Sequence, residues 1–244
     1  MYKSVGAAGA FGLRRRHSFR PQIPRSSLAP DEDALDGLPL AGIRVADFSR
    51  VLAGPLATML LADLGADVVK IEWPGTGDDT RAWGPPFVQG GDAAYFLSLN
   101  RNKRSVALDL SSDDGRDAAR RLALASDVVV ENFRPGLMQR FGLDHQALAA
   151  ERPGLVYCSL TAFGEEANSA RPGYDIIVQA LSGLMSFTGH PGGEPTKVGV
   201  ALLDVICGLY AANAIQAVLR YGATVGSAIV GRCATALIRG APSR

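Results

Sequence analysis

The sequence predicts an α/β fold, in which a parallel sheet carries helices on both faces. Short runs rich in valine and isoleucine, such as residues 67–72 (D-V-V-K-I-E) and 127–131 (D-V-V-V-E), alternate with longer segments of helical character. A helical crossover between successive strands requires parallel pairing and places helices on the faces of the sheet. The 244 residues are 47% hydrophobic and 20% charged, which is enough apolar material for a sizeable core.

The first strand–helix–strand unit is predicted over residues 43–72. Residues 43–48 form a strand, and the turn S-R-V-L-A-G-P at 49–55 leads into a helix over 56–64 that Gly65 ends. Residues 67–72 form the second strand, which a right-handed crossover places beside the first. A long loop rich in Gly, Pro and Asp follows at 73–91, and loops of this length are often functional.

The remaining elements continue the alternation. Further strands are predicted over 105–110, 127–131 and 155–160. Helices are predicted from Ser112 or Asp113 to about Leu124, and over 137–140, 144–151, 175–186 and 205–219.

The chain divides into four regions. Residues 1–30 are rich in arginine and contain no acid, which is typical of a mitochondrial presequence and predicts a location in the matrix. A basic tail without fixed structure is the alternative. Residues 31–38 are a predicted linker, residues 39–220 form the α/β domain, and residues 221–244 form a small-residue-rich tail without a usable motif.

Composition disfavours several classes of protein. A net charge of +1 argues against a nucleic-acid-binding protein. The three cysteines are widely spaced and form no C-x-x-C, so neither a disulfide framework nor a zinc site is predicted. The apolar segment 198–219 contains Asp204, Asn213 and Gln216, which favours a buried helix over a membrane span.

Ligands of open α/β sheets bind beyond the carboxyl ends of the strands, where residues 51–55, 73–81 and 132–136 and the loop after Leu160 are predicted to lie. Glu72 ends the second strand, as a ribose-binding acid does in dinucleotide enzymes. The glycine pattern G-x-G-x-x-G is absent, so a dinucleotide site is not favoured.

Asp204 is the single acid in an apolar run, V-G-V-A-L-L-D-V-I-C-G-L-Y at 198–210. Burying an unpaired carboxylate is costly, so this side chain must be exposed, paired or functional. From the residues alone it could be the N-cap of the helix at 205–219 or a functional acid.

Together these segments resemble the class III CoA-transferase (CaiB/BaiF) family, which includes formyl-CoA and carnitine-CoA transferases. The matching order and spacing extend over about 180 residues. The combination of R-V-L-A-G-P, G-D-D-T-R, W-G-P-P-F and N-R-N-K is most similar to the succinyl-CoA:glutarate branch. The matching motifs are R-V-L-A-G-P (50–55), L-G-A-D-V-V-K-I-E (64–72), G-D-D-T-R (77–81), N-R-N-K-R-S (100–105), D-V-V-V-E-N-F-R-P-G (127–136), G-Y-D (173–175) and G-V-A-L-L-D (199–204).

The resemblance implies site residues. The family's catalytic aspartate ends the G-x-A-x-x-D motif, here Asp204, and Tyr174 and Asp175 match a pair beside the reacting carboxylate. Contacts to coenzyme A are implied at Val51, Leu52, Ala53, Trp73, Leu108, Asn132, Phe133 and Arg140. Each of these roles has a structural alternative. The apolar residues could simply pack in the core, Arg140 could be a solvated charge, and Asp175 could be a helix cap. Lys103 and Arg104 could meet phosphate or face water.

The implied fold is the incomplete, Rossmann-like large domain of such a transferase. The implied reaction transfers CoA from an acyl-CoA, such as succinyl-CoA, to glutarate or a related dicarboxylate through an aspartyl-CoA thioester. Coenzyme A is then a substrate, with no permanently bound cofactor or metal, no nucleic acid and no membrane, and the family forms interlocked homodimers.

Two alternatives remain open. One is an enzyme similar to α-methylacyl-CoA racemase, in which Asp175 matches the acid and the partner histidine comes from the region of His145, although the family pattern puts Ala149 at the histidine position. The other is an inactive, C-terminally truncated fragment, because the match to the family stops after about Arg220.

Overall fold

A computed structural model describes residues 37–89, 91–164 and 173–225 of the chain. Its centre is a five-stranded sheet in the order β3-β2-β1-β4-β5, and every neighbouring pair of strands is parallel. The predicted α/β fold is confirmed. The predicted presequence, most of the linker and residues 226–244 of the tail lie outside the described residues. The strands are β1 (Arg44–Asp47), β2 (Asp67–Glu72), β3 (Lys103–Ala107), β4 (Val128–Glu131) and β5 (Val156–Ser159).

Helices connect the strands and cover the sheet. Short 3₁₀ turns occur at Asp79–Ala82 and Leu184–Ser186. The α-helices are α1 (Ala53–Asp63), α2 (Ala94–Asn100), α3 (Asp113–Ala125), α4 (Leu137–Phe141), α5 (His145–Ala149), α6 (Asp175–Leu181) and α7 (Leu202–Val225).

The core has two layers, one on each face of the sheet. Because successive side chains of a strand point to opposite faces, Val128 and Val130 pack toward α1 and α7, whereas Val129 packs toward α3, α4 and α5. Leu61 and Ile215 complete the first layer, and both are almost fully buried. The prediction of helices on both faces is therefore confirmed.

Helix α7 begins at Leu202, three residues before the predicted start, and packs along α1. Gly208 permits this close approach, because a Cβ at this position would lie 2.7 Å from the carbonyl oxygen of Ala53. By length and composition alone, Leu202–Gly222 could cross a membrane, with a mean hydropathy of 1.7. Core helices of soluble proteins share these properties, and α7 buries Ala211, Ala212 and Ile215 against α1 and the sheet.

Besides α7, several elements differ from the sequence-based expectation. Helix α1 begins at Ala53 rather than at residue 56, and helix α6 ends at Leu181 rather than at residue 186. Helix α2 was not predicted. It begins just after the predicted loop, and its N-cap residue, Ala93, has no side chain that could cap it, so the sequence carries no signal for its start. Strand β3 begins at Lys103 rather than at residue 105. The prediction missed its first two residues because Lys103 and Arg104 are charged and do not resemble a typical strand sequence.

Candidate active site

A cavity of about 270 Å³, here called the main cavity, lies at the carboxyl ends of β1, β4 and β5. The segments that follow these strands form three of its walls, at 50–53, 132–135 and 160–164. The start of α7 closes it with Leu203 and Asp204. This is the edge where open α/β sheets bind ligands.

The main cavity brings together many of the residues that the sequence singled out. Asp175 does not line it, but its carboxylate is bonded to the start of α7. Trp73 is exposed after β2, Leu108 packs against the core beneath α3, and Arg140 is exposed on α4; none of these three lines the cavity. The predicted residues that line it are Val51, Leu52, Ala53, Asn132, Phe133, Tyr174 and Asp204.

Asp204 occupies the first turn of α7. The helix starts two residues earlier, so the interpretation of Asp204 as its N-cap is wrong. Among the residues that the structure describes, no lysine or arginine forms an ion pair with this carboxylate. Burial raises the pKa of Asp204, the charge of Asp175 raises it further, and the resulting pKa is about 6. The side chain is therefore mostly ionised at pH 7, but less completely than an ordinary aspartate.

Asp175 caps α7 from the neighbouring helix α6. Its Oδ1 accepts hydrogen bonds from the backbone N–H of Leu203 at 2.8 Å and of Asp204 at 3.2 Å. It does not cap its own helix, because the N-cap of α6 is Tyr174, which makes no side-chain cap bond. The interpretation of Asp175 as a local N-cap is wrong, since it satisfies orphan donors of a helix that begins 27 residues later.

Gln179, which the sequence did not single out, ties the segment before α7 to α6. Its Nε2 donates to Asp175 and to the carbonyl of Val200, and its Oε1 accepts from the N–H of Val198 at 2.9 Å. The side chain is almost fully buried. A glutamine inside a short helix carries no signal in the sequence, so only the fold reveals this contact.

The turn at Arg50–Leu52 is held in a strained conformation. Val51 has a φ of 68°, which is rare for a β-branched residue. Asn132 bonds the backbone of the preceding residue twice, since its Oδ1 accepts from Arg50 N and its Nδ2 donates to Arg50 O, both at 2.8 Å. Asp78 accepts from Val51 N at 3.3 Å. Side chains from two distant segments therefore impose the shape of this cavity wall.

A buried charge network supports this turn from below. Lys70 donates to Ser49 O at 2.8 Å and pairs with Asp78 at 3.0 Å. Burial would raise the pKa of Asp47, but Lys103, Lys70 and hydrogen bonds from hydroxyl groups lower it to about 2. Lys103 pairs with Asp47 and is almost fully buried, so it neither faces water nor is available to phosphate.

The G-D-D-T-R motif and Glu72 serve mainly to hold the long loop. Arg81 bonds Glu72 and Asp92, and its guanidinium lies 3.8 Å from the ring centroid of Phe96 on α2. Burial would raise the pKa of Glu72, but Arg81, Ser105 and the N–H of Asp78 lower it to about 2. These bonds occupy both carboxylate oxygens of Glu72.

A second cavity of about 290 Å³ adjoins the first. His145 lines this second cavity beside Tyr157 and does not line the main cavity, so it is separated from Asp175. The wall between the cavities includes Arg134 and Thr161, which line both. Across residues 37–89, 91–164 and 173–225, no group of His, Cys, Asp or Glu side chains could hold a metal.

Several functional candidates were missed by sequence reasoning. Arg50 and Arg134 belong to matching motifs, yet only the structure shows that both line the main cavity. Cys207 also lines it, one turn after Asp204. Burial raises the pKa of Tyr95 on α2, and the charges of Asp204 and Asp175 raise it further, which places Tyr95 electrostatically close to the site.

Comparison with known proteins adds independent information. The family model described as CoA-transferase family III matches residues 40–238. The succinate–glutarate CoA-transferase of Agrobacterium fabrum is 51% identical over 187 residues, covering 74% of this chain and 47% of the relative. The human succinyl-CoA:glutarate CoA-transferase is 47% identical over 189 residues, covering 77% of this chain and 43% of the relative.

A solved structure shows the same arrangement. The CaiB/BaiF family protein from Brucella suis superposes with a TM-score of 0.76 and 46% identity, covering 80% of this chain and 52% of that protein. The chain thus spans about half the length of the relatives that it matches.

Proposed function

The chain belongs to CoA-transferase family III, and from this premise we propose that it contributes the catalytic aspartate of a CoA-transferase. The observation that carries the proposal is the position of Asp204, a partly buried carboxylate without a cationic partner among the described residues, in a cavity at the ligand-binding edge of the sheet. A carboxylate in this setting is poorly stabilised as an ion, which makes it a better nucleophile than a solvated aspartate.

The proposed donor is succinyl-CoA, and the proposed acceptor is glutarate or a related dicarboxylate. The names of the two curated relatives described above support this choice. The cavity is large enough for a short acyl group and too small for a whole acyl-CoA. In this proposal the cavity holds the reacting acyl group, while coenzyme A extends past the turn at Val51–Ala53.

In the proposed first stage, the Asp204 carboxylate attacks the thioester carbonyl of the donor. The C–S bond breaks, the thiolate of coenzyme A leaves with the electron pair, and a mixed anhydride forms. The thiolate then attacks the Asp204 carbonyl of this anhydride and releases the donor acid as a carboxylate, which leaves an aspartyl-CoA thioester on the protein.

The second stage reverses these steps with the acceptor acid. Its carboxylate attacks the aspartyl thioester, the thiolate leaves, and a second anhydride forms. The thiolate attacks the acceptor carbonyl, which yields the new acyl-CoA and regenerates the Asp204 carboxylate. Protons are neither gained nor lost overall, so no general base is required.

The start of α7 orients Asp204 and does not supply oxyanion donors. The N–H groups of Leu203 and Asp204 are bonded to Asp175, and those of Leu202 and Val205 are bonded to backbone carbonyls. This differs from the simple expectation that a helix N-terminus beside a nucleophile offers its N–H groups to the reaction. The hydroxyl of Thr161 is buried and has no hydrogen-bond partner among the residues that the structure describes, and this residue lines the same cavity.

The remaining parts of the proposal rest on the sequence. The arginine-rich, acid-free residues 1–30 support a mitochondrial location. Coenzyme A as a transient substrate without a permanently bound cofactor, and an interlocked homodimer, follow from the family resemblance.

The decisive experiment is isotopic. Turnover of succinyl-CoA with glutarate labelled with ¹⁸O in its carboxylates would place one heavy oxygen in the side chain of Asp204, because the bridging oxygen of the second anhydride stays with the aspartate. Mass spectrometry of the peptide containing Asp204 detects it. Asp204→Asn is expected to abolish transfer, whereas Asp117→Asn, which removes an exposed carboxylate on α3, is expected to retain it. Normal transfer by Asp204→Asn, or unlabelled Asp204 after many turnovers, would exclude the proposed route.

A further inference from the structure

Arg50 is an unusual cation among the described residues. It lines the main cavity with Asp204, it is only partly exposed, and no acidic side chain of the described residues forms an ion pair with it. By contrast, Lys70, Arg81 and Lys103, the other partly or fully buried cations close to this site, all pair with carboxylates. A partly buried guanidinium without an anion is ready to bind one, since burial makes unsatisfied donors costly.

The surroundings of Arg50 hold it in place. Its backbone N–H and C=O are both bonded to the side chain of Asn132. Its guanidinium lies over the ring of Phe133, 5.2 Å from the centroid. Stacking on an aromatic face restricts the side chain and leaves the in-plane N–H groups available, which is the arrangement that suits two-point binding of a carboxylate.

The charges of the main cavity define which ligand fits. Asp204 is the group that reacts in the proposed function, and Asp79 adds a second, exposed carboxylate to the lining. A short acyl group with a second carboxylate would be repelled by these two acids unless a cation met its free end. Arg50 supplies that cation from the segment that follows β1, and the exposed Arg134 also belongs to the lining.

We infer that Arg50 binds the non-reacting carboxylate of a dicarboxylic acyl group and so determines the preference for dicarboxylates over monocarboxylates. This inference rests on the proposed function and deepens it by assigning its substrate specificity to one residue. Arg50 acts by binding substrate, while the chemistry remains with Asp204. A phosphate of coenzyme A is the other anion that a guanidinium could bind, and the experiment separates the two.

The experiment compares succinyl-CoA with butyryl-CoA, which has the same number of acyl carbons and a methyl group in place of the carboxylate. The first half-reaction is measured without acceptor, as the release of free acid in a rapid-quench assay. Arg50→Met keeps the length of the side chain and removes its charge. It is expected to lower kcat/KM for succinyl-CoA by about 10- to 100-fold, the range for one lost charge-assisted interaction, and to change the butyryl-CoA value by less than about threefold.

Three variants complete the design. Arg50→Lys is expected to recover part of the preference, because an ammonium keeps the charge and loses the forked geometry. Arg44→Met, which removes an exposed arginine outside the cavity, is expected to keep the preference intact. Loss of the preference in Arg134→Met but not in Arg50→Met would overturn the assignment.

Further outcomes separate this inference from the proposed function. Equal losses with both donors in Arg50→Met would mean that Arg50 contacts coenzyme A or supports the fold, and no loss with either donor would also overturn the inference. If the wild-type protein released no acid from either donor, the proposed function would fail. The binding claim is then decided by thermal shift, in which glutarate is expected to stabilise the wild type and Arg44→Met but not Arg50→Met.

Discussion

The ionised form of Asp204 opposes folding. Its carboxylate is partly buried and lies near the negative charge of Asp175, and both effects destabilise the ion. Its folded-state pKa of about 6 lies above its ordinary value of 3.8. The free-energy cost of folding with an ionised Asp204 is absent at low pH, where the side chain is protonated in both the folded and the unfolded states. It is fully present above pH 6, where the side chain is ionised in both.

This cost predicts that Asp204→Asn stabilises the protein at pH 7 to 8. Asparagine has nearly the same shape and no charge, so the free energy of unfolding is expected to rise by about 2 kcal/mol, a figure reduced from the full shift because the side chain is partly exposed. Urea unfolding at pH 7.5 and at pH 4 tests it. The gain is expected to fade at pH 4, and a variant that is less stable than the wild type at pH 7.5 would contradict the raised pKa.

The same pKa predicts the acidic limb of the activity profile. The nucleophile must be ionised, so kcat/KM for the donor is expected to fall about tenfold per pH unit below a midpoint near 6. Asp175→Asn is expected to move this midpoint to lower pH, because it removes a negative charge while the amide oxygen can still accept from the N–H groups of α7. A profile that stays flat down to pH 5 in the wild type would contradict the assignment of Asp204.

At the residue scale, sequence patterns identified the acid but not its setting. Asp204 was identifiable because a single carboxylate stands in an apolar run and ends a family motif. The capping of its helix by Asp175 was not, because the two residues meet through a contact between α6 and α7 that no local pattern encodes. Arg50 was visible in its motif, but its lack of an acidic partner among the described residues depends on where every nearby carboxylate lies.

At the scale of elements, the turn between β1 and α1 derives its shape from two other parts of the chain. Asn132 follows β4 and Asp78 lies in the loop after β2, and both bond the backbone at Arg50–Val51. A strained φ at Val51 costs about 1–3 kcal/mol and persists only where such contacts impose it. The strain at Val51 is consistent with the proposed role of this turn as a wall of the substrate cavity.

The contact between Asn132 and this turn yields the third prediction. Asn132→Ala removes both hydrogen bonds to Arg50, so the free energy of unfolding is expected to fall by about 1–3 kcal/mol. The relaxed turn is also expected to weaken the binding of acyl-CoA, seen as a rise in KM larger than the fall in kcat. Ser111→Ala, which alters an exposed side chain remote from the cavity, is the control. Unchanged stability and KM in Asn132→Ala would show that Val51 needs no such support.

Most elements followed from local patterns, and the exceptions have physical causes. Strand β2 has the predicted limits because a β-branched run is bounded by Ala66 and Trp73. Helix α2 was missed because its start lacks a capping side chain and its burial depends on packing against α1 and the 3₁₀ turn. Helix α7 begins early because Asp175 satisfies its first donors, which removes the need for a cap in its own sequence.

At the scale of the whole molecule, one contact links the core to the site. Helix α7 covers one face of the sheet together with α1, and its first turn carries Asp204 into the main cavity. The turn with Val51, Leu52 and Ala53 lies at the start of α1. The distance between α1 and α7 therefore sets the spacing between the proposed nucleophile and the wall proposed to bind coenzyme A.

Gly208 controls this distance, and its replacement gives the last prediction. A Cβ there would meet the carbonyl oxygen of Ala53 at 2.7 Å and the side chain of Leu56 at 3.1 Å, and the backbone contact leaves no room for adjustment without moving a helix. Gly208→Ala is expected to lower the free energy of unfolding by about 1–3 kcal/mol, despite the better helix propensity of alanine, and to lower kcat for transfer because Asp204 moves with α7. Gly199→Ala is the matched control, because a Cβ at Gly199 meets no atom of the described residues within 4 Å, although Gly199 lies close to Asp204 in sequence. Denaturant unfolding and transfer assays on both variants decide the matter: equal effects would show that the spacing between α1 and α7 does not govern the site, whereas a loss confined to Gly208→Ala would show that it does.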